Sequence, residues 1–118
     1  MTTTLLQQHA AKPQAVRAIT EAVRAAIVAT GERFDLQVKA VEFDVWFDVD
    51  LGHEPNLLVE VTLADPPKDE GTWPDPALRV IEDAVWDELN RNNGWEALDV
   101  TDVWVRFRPE HIDPADLA

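Results

Sequence analysis

Eleven consecutive residues, Val41-Glu42-Phe43-Asp44-Val45-Trp46-Phe47-Asp48-Val49-Asp50-Leu51, alternate in character: every odd position is apolar and four of the five even ones are acidic. A period of two marks a β-strand with one face on a core and the other in water. Burying the six odd side chains contributes on the order of 9–18 kcal/mol, at 1.5–3 each. The opposite facing would bury four carboxylates without partners, so the odd positions face inward and Trp46 projects outward. A second strand, Leu57 to Leu63, has its odd positions inward as well. Gly52-His53-Glu54-Pro55-Asn56 between them is a five-residue loop suited to a β-hairpin.

Helical periodicity flanks this hairpin. Val16, Ile19, Val23 and Ile27 recur at three- and four-residue steps and predict a helix from Pro13 to Thr30, with Gly31 as its C-terminal cap. After a proline- and charge-rich loop over 65–74, Asp75 as N-cap and Pro76 at the first helical position open a second helix. Leu78, Ile81, Val85 and Leu89 form its buried stripe, Trp86 lies beside that stripe, and the helix stops near Asn93-Gly94. A last strand from Val100 to Arg108 points Val103, Val105 and Phe107 inward and Trp104, Arg106 and Arg108 outward, and Pro109 ends it. The order α-β-β-α-β therefore predicts an α+β two-layer sandwich, with two helices on one face of a small, mainly antiparallel three-stranded sheet. One domain over 13–109 is expected, with residues 1–12 as an N-terminal arm and 110–118 as a loose tail.

Charge and composition narrow the function classes. Ten Lys and Arg against 23 Asp and Glu give a formal net charge of −13, which repels a phosphate backbone and argues against nucleic acid as a partner. An acidic field attracts basic partners, although it also serves plain solubility. No apolar run approaches the roughly 18 residues of a membrane span, and the N-terminal residues lack the basic start and apolar core of a secretory signal; a cytoplasmic protein is expected by default. A preference for Arg over Lys, with abundant Ala, Val and Asp, is compatible with a GC-rich bacterial genome.

The chain has no serine and no cysteine, which excludes serine and thiol nucleophiles and cysteine-ligated metals, and its threonines have no activating context. Its four glycines stand singly, so phosphate-loop and dinucleotide fingerprints are absent. Asp48-Val49-Asp50-Leu51-Gly52-His53-Glu54 is oxygen-rich as calcium prefers, yet Gly52 stands where a cation loop would place a third ligand. A solvated hairpin end is the better reading. His9, His53 and His111 lack zinc-binding spacing, so no metal or other cofactor is assigned. Catalysis by Asp44, Asp48 or Glu60 competes with a simpler role, pairing with arginines on an open sheet face where water keeps carboxylates ordinary.

Tryptophan is the unusual usage: five residues against no tyrosine. Trp46 and Trp104 share the expected outer face with Asp44, Asp48, Glu60, Arg106 and Arg108. An aromatic and charged face of this kind suits a non-catalytic protein-interaction module of immunity, chaperone or adaptor type, binding a basic protein or a second copy of itself as a homodimer. Were the last strand beside the first, Arg106 and Arg108 would pair with Asp44 and Asp48, and Trp46 and Trp104 would lie near each other. The alternative is a small-molecule site or enzyme pocket between sheet and helices, closed by Trp73 and Trp95. These two loop tryptophans can equally fold back and plug the ends of the core.

Overall fold

The computed structural model describes residues 13–48, 54–66, 72–91 and 93–111. Helix α1 spans Pro13–Arg33, strand β1 Val38–Asp48, strand β2 Glu54–Leu63, helix α2 Asp75–Arg91, the short helix α3 Gly94–Leu98 and strand β3 Asp102–Pro109. The α-β-β-α-β order and the packing of helices on the sheet are as expected, with α3 inserted before the last strand. The five residues between β1 and β2, and with them Val49, Asp50, Leu51 and His53, lie outside the described residues, as do the N-terminal arm and positions 112–118.

The sheet order is β1-β2-β3. β1 pairs antiparallel with β2, placing Val41 opposite Val61 and Val45 opposite Leu57, while β3 pairs parallel with β2, placing Val103 beside Leu57 and Val105 beside Val59. The sheet is thus mixed. A hairpin returns β2 against β1, but the path from β2 to β3 runs through α2, and a helical crossover delivers the next strand parallel to the one before it. β3 therefore lies beside β2, and the supposed pairing of Arg106 and Arg108 with Asp44 and Asp48 across a β1–β3 border does not form.

Central position governs burial. Leu57, Val59, Val61 and Leu63 of β2 are all 0% exposed, whereas Val41, Val45 and Val103 of the outer strands are buried and Phe43, Val105 and Phe107 are half-buried. Phe47 corrects the expectation of six buried odd positions: one residue from the end of edge strand β1, it is 44% exposed. Val16, Ile19, Val23 and Ile27 of α1 and Ala77, Ile81, Val85 and Leu89 of α2 fill the space over the sheet. Ala77 takes the buried place expected of Leu78, which is half-buried.

The helix end assigned to Gly31 is in fact closed by aspartate, whereas α2 stops at Arg91, with Asn93 left-handed (φ 52°), as the stop near Asn93-Gly94 predicted. α1 runs on past Gly31, and Asp35 takes the left-handed conformation (φ 57°). The amide of Leu36 donates to Gly31 O at 2.8 Å and that of Asp35 to Glu32 O at 3.2 Å, a Schellman closure. Asp99 (φ 55°) closes α3 the same way, with Val100 N–H donating to Trp95 O and Asp99 N–H to Glu96 O. Aspartate tolerates this region because its short polar side chain bonds locally. Gly31 and Gly94 serve close approach instead: a Cβ on Gly31 would stand 2.9 Å from Leu36 O, and one on Gly94 would stand 2.7 Å from Leu89 Cδ2 and 3.3 Å from Ile19 Cγ2. α2 opens at Asp75, with Pro74 O accepting from Ala77 N–H and Leu78 N–H.

Candidate functional site

With both long helices on one side, the even positions of the strands form an open outer face. Register arranges them in rows: Trp46, Asn56 and Asp102; Asp44, Leu58 and Trp104; Glu42, Glu60 and Arg106. Trp46 and Trp104 sit on the two outer strands and meet above β2. Their ring centroids are 6.1 Å apart and the planes stand at 84°, an edge-to-face pair. They remain 48% and 53% exposed.

Below the indoles lies a depression of about 220 Å³ lined by Trp46, Asn56, Leu58, Trp104 and Arg106. Its floor is set by β2. Asn56 is 6% exposed, and its amide nitrogen donates to Trp46 O at 3.3 Å and Glu54 O at 3.2 Å. Two carbonyl acceptors fix the amide's orientation, and among the described residues nothing donates to its Oδ1.

Charge on this face is unbalanced. Glu42, Asp44, Glu60 and Asp102 stand against Arg106 and Arg108, four carboxylates to two guanidiniums. Arg108 donates to Glu60 Oε1 at 2.8 Å, across the β2–β3 border and in place of the β1 aspartates. That contact, together with the charge of Glu60, raises the Arg108 pKa. Asp44 Oδ1 accepts from Val45 N–H and Asp102 Oδ1 from Val103 N–H, each at 2.8 Å, so both carboxylates are anchored on the outer strands. The Asp48 side chain lies outside the described residues.

Trp73 and Trp95 lie elsewhere. Trp73 is 8% exposed and its Nε1–H donates to Ala64 O at 2.8 Å, fastening the loop before α2 over the end of β2. Trp95 donates from Nε1 to Asn90 Oδ1 at 2.7 Å and packs on Trp86 with centroids 4.9 Å apart. Both fill the margins of the core, and the space between the layers is occupied by the apolar side chains named above. A second, more open hollow of about 320 Å³ lies where α1 passes β1, lined by Arg24, Val28, Val38, Lys39, Ala40 and Val41. At the sheet's far end His111 Nδ1 lies 2.8 Å from Asp65 Oδ2, and His111 N–H donates to Asp65 Oδ1 at 2.9 Å. The backbone bond and the imidazole lower the Asp65 pKa, and the carboxylate raises that of His111.

Periodicity brought Trp46 and Trp104 to one face but missed Leu58 and Asn56. Leu58 sits in a run of three apolar residues, Leu57-Leu58-Val59, and an apolar residue at an outward position of a strand is the signal that it belongs to a surface patch. Asn56 was assigned to the hairpin loop, which the structure shortens by starting β2 at Glu54. Among the described residues no group of three His, Asp or Glu could hold a metal ion, and no helix is long and apolar enough to cross a membrane. No family model, curated protein or solved structure matches the chain.

Proposed function

We propose that the protein is a non-catalytic interaction module that docks a basic partner protein on the open face of its sheet. The observation that carries this reading is the half-exposed Trp46–Trp104 pair over an apolar, Leu58-floored depression on a face where carboxylates outnumber guanidiniums. Folding alone gains little from leaving two indoles in water, whereas interfaces concentrate their energy in such aromatic anchors. The carboxylates around them supply steering for a positively charged partner and a salt-dependent on-rate.

Affinity capture with the wild-type chain and the Trp46→Ala/Trp104→Ala variant tests it. The wild type should retain a stoichiometric basic protein that is released as salt rises, and the variant should lose it while keeping its circular dichroism. Equal retention by both chains would remove this face from consideration. Sedimentation of the isolated chain distinguishes self-association, which would make a second copy the occupant.

A further inference from the structure

Resting on that docking reading, we infer that the Trp46–Trp104 corner is a receptor for a single cationic side chain of the partner, an arginine by preference. Two indoles meeting edge to face at 84° both line the same small depression. A cation is attracted to the face of an indole, and a planar guanidinium can also stack there. Among the described residues the arginine–aromatic contacts are those of Arg24 with Phe43 and Arg33 with Phe34, so neither Trp46 nor Trp104 has a cation over its ring. The depression of about 220 Å³ is the size of one side chain rather than of a peptide segment.

Apart from the indole N–H groups and Arg106, the hydrogen-bonding groups around the corner are acceptors. Asp44 and Asp102 flank it from the two outer strands, which stand about 10 Å apart across β2 at the usual strand spacing. Each uses one carboxylate oxygen on a neighbouring amide and keeps the other. Asn56 has spent its amide protons on Trp46 O and Glu54 O, and its remaining polar atom is the acceptor Oδ1. A guanidinium, with five donors and no acceptor, matches this set and a carboxylate does not. Arg106 is the one opposing feature, since it lines the same depression. It shares its row with Glu60, which is held by Arg108, and with Glu42 one strand further away. Arg106 therefore weakens rather than supplies the attraction, and this gives the test its sharpest arm.

Indole signals of the full-length protein, assigned by single Trp→Phe variants, are followed by 1H–15N NMR during titration with Ac-Gly-Arg-Gly-NH2, its neutral citrulline isostere and Ac-Gly-Glu-Gly-NH2. The arginine peptide should shift Trp46 and Trp104 while leaving Trp73 in place, and the citrulline peptide should bind several-fold more weakly. Arg106→Gln should tighten the arginine peptide about two- to fivefold, the range of one exposed charge contact. Asp44→Asn with Asp102→Asn should weaken it by a similar factor. Equal shifts with citrulline, or binding of the glutamate peptide that Arg106→Gln abolishes, would overturn the cation receptor and leave the docking face standing. Silence of both indoles towards all three peptides would overturn the receptor and count against the docking face as well.

Discussion

Replacing Trp73 by Phe separates an indole that plugs the core from one that lids a ligand pocket. The indole is 8% exposed and its Nε1–H is bonded to Ala64 O at 2.8 Å. Phenylalanine keeps most of the apolar contact but removes the donor, and the part-buried Ala64 carbonyl left without its partner costs about 1–3 kcal/mol. The missing part of the ring leaves a small void worth about another 1 kcal/mol. The sum, about 2–4 kcal/mol, is a large fraction of the 5–15 kcal/mol typical of a whole domain. In thermal melts followed by circular dichroism it should lower Tm by on the order of 10 °C. Urea melts should show a lower midpoint with an unchanged slope, because the folded core persists. Trp104→Phe is the control, since its ring is 53% exposed and it should lose less than about 1 kcal/mol. A Trp73→Phe variant within about 0.5 kcal/mol of wild type would refute the plug, and with it the view that the loop before α2 is fastened to the sheet.

Gly94→Ala should destabilise by about 1–3 kcal/mol in urea melts despite the better helix propensity of alanine, because the new methyl would meet Leu89 Cδ2 at 2.7 Å and the Leu89 Cα at 3.1 Å. The His111–Asp65 pair should tie its contribution to pH. His111, raised above its ordinary 6.5, adds stability that is complete below that value and lost as pH rises through its folded pKa. Asp65, lowered from 3.8, adds stability present above that value and lost as pH falls through its folded pKa. The imidazole signal of His111 should therefore titrate above 6.5 in the wild type and move back towards it in Asp65→Asn. A double-mutant cycle should show coupling of Arg108 to Glu60 but none to Asp44, and the coupling should vanish in about 1 M salt, where the screening length is about 3 Å.

The α-β-β-α-β order was legible because each long element repeats a period: two in β1 and β2, and three or four in the stripes of α1 and α2. What escaped was set by groups distant in sequence. Phe47 obeys the alternation of β1 yet stays exposed, since alternation records which side a residue faces and not how far it is covered. The end of α1 was misread for a related reason: glycine is the usual left-handed cap, but Asp35 adopts that conformation and frees Gly31 for close approach, while the stop of α2 near Asn93-Gly94 was read from the chain correctly. At the candidate site the two tryptophans were visible as outward positions of predicted strands. Their meeting was expected only with the last strand beside the first; it occurs instead across β2, which lies between β1 and β3, an order that the helical crossover decides.

A three-stranded sheet with one bare face also has two bare edges, and these are the usual route to self-association. Here each is guarded at particular backbone groups. On β1 the Arg24 guanidinium donates to Val41 O at 3.3 Å, Asp44 occupies Val45 N–H, and the register shifts between Val38 and Ala40, where Lys39 lies 3.8 Å from Glu110. On β3, Asp102 occupies Val103 N–H. A backbone group bonded to the protein's own side chains is not offered to an incoming strand, so these groups are withdrawn from edge pairing. The residues that do this are the same ones that set the charge beside the tryptophans: Asp44 and Asp102 guard an edge with one oxygen and present negative charge to the face with the other. Asparagine at these positions retains an oxygen for the amide and loses the charge. The Asp→Asn variants thus keep the edges guarded while weakening the attraction for a cation, which separates a change in docking from a change in aggregation.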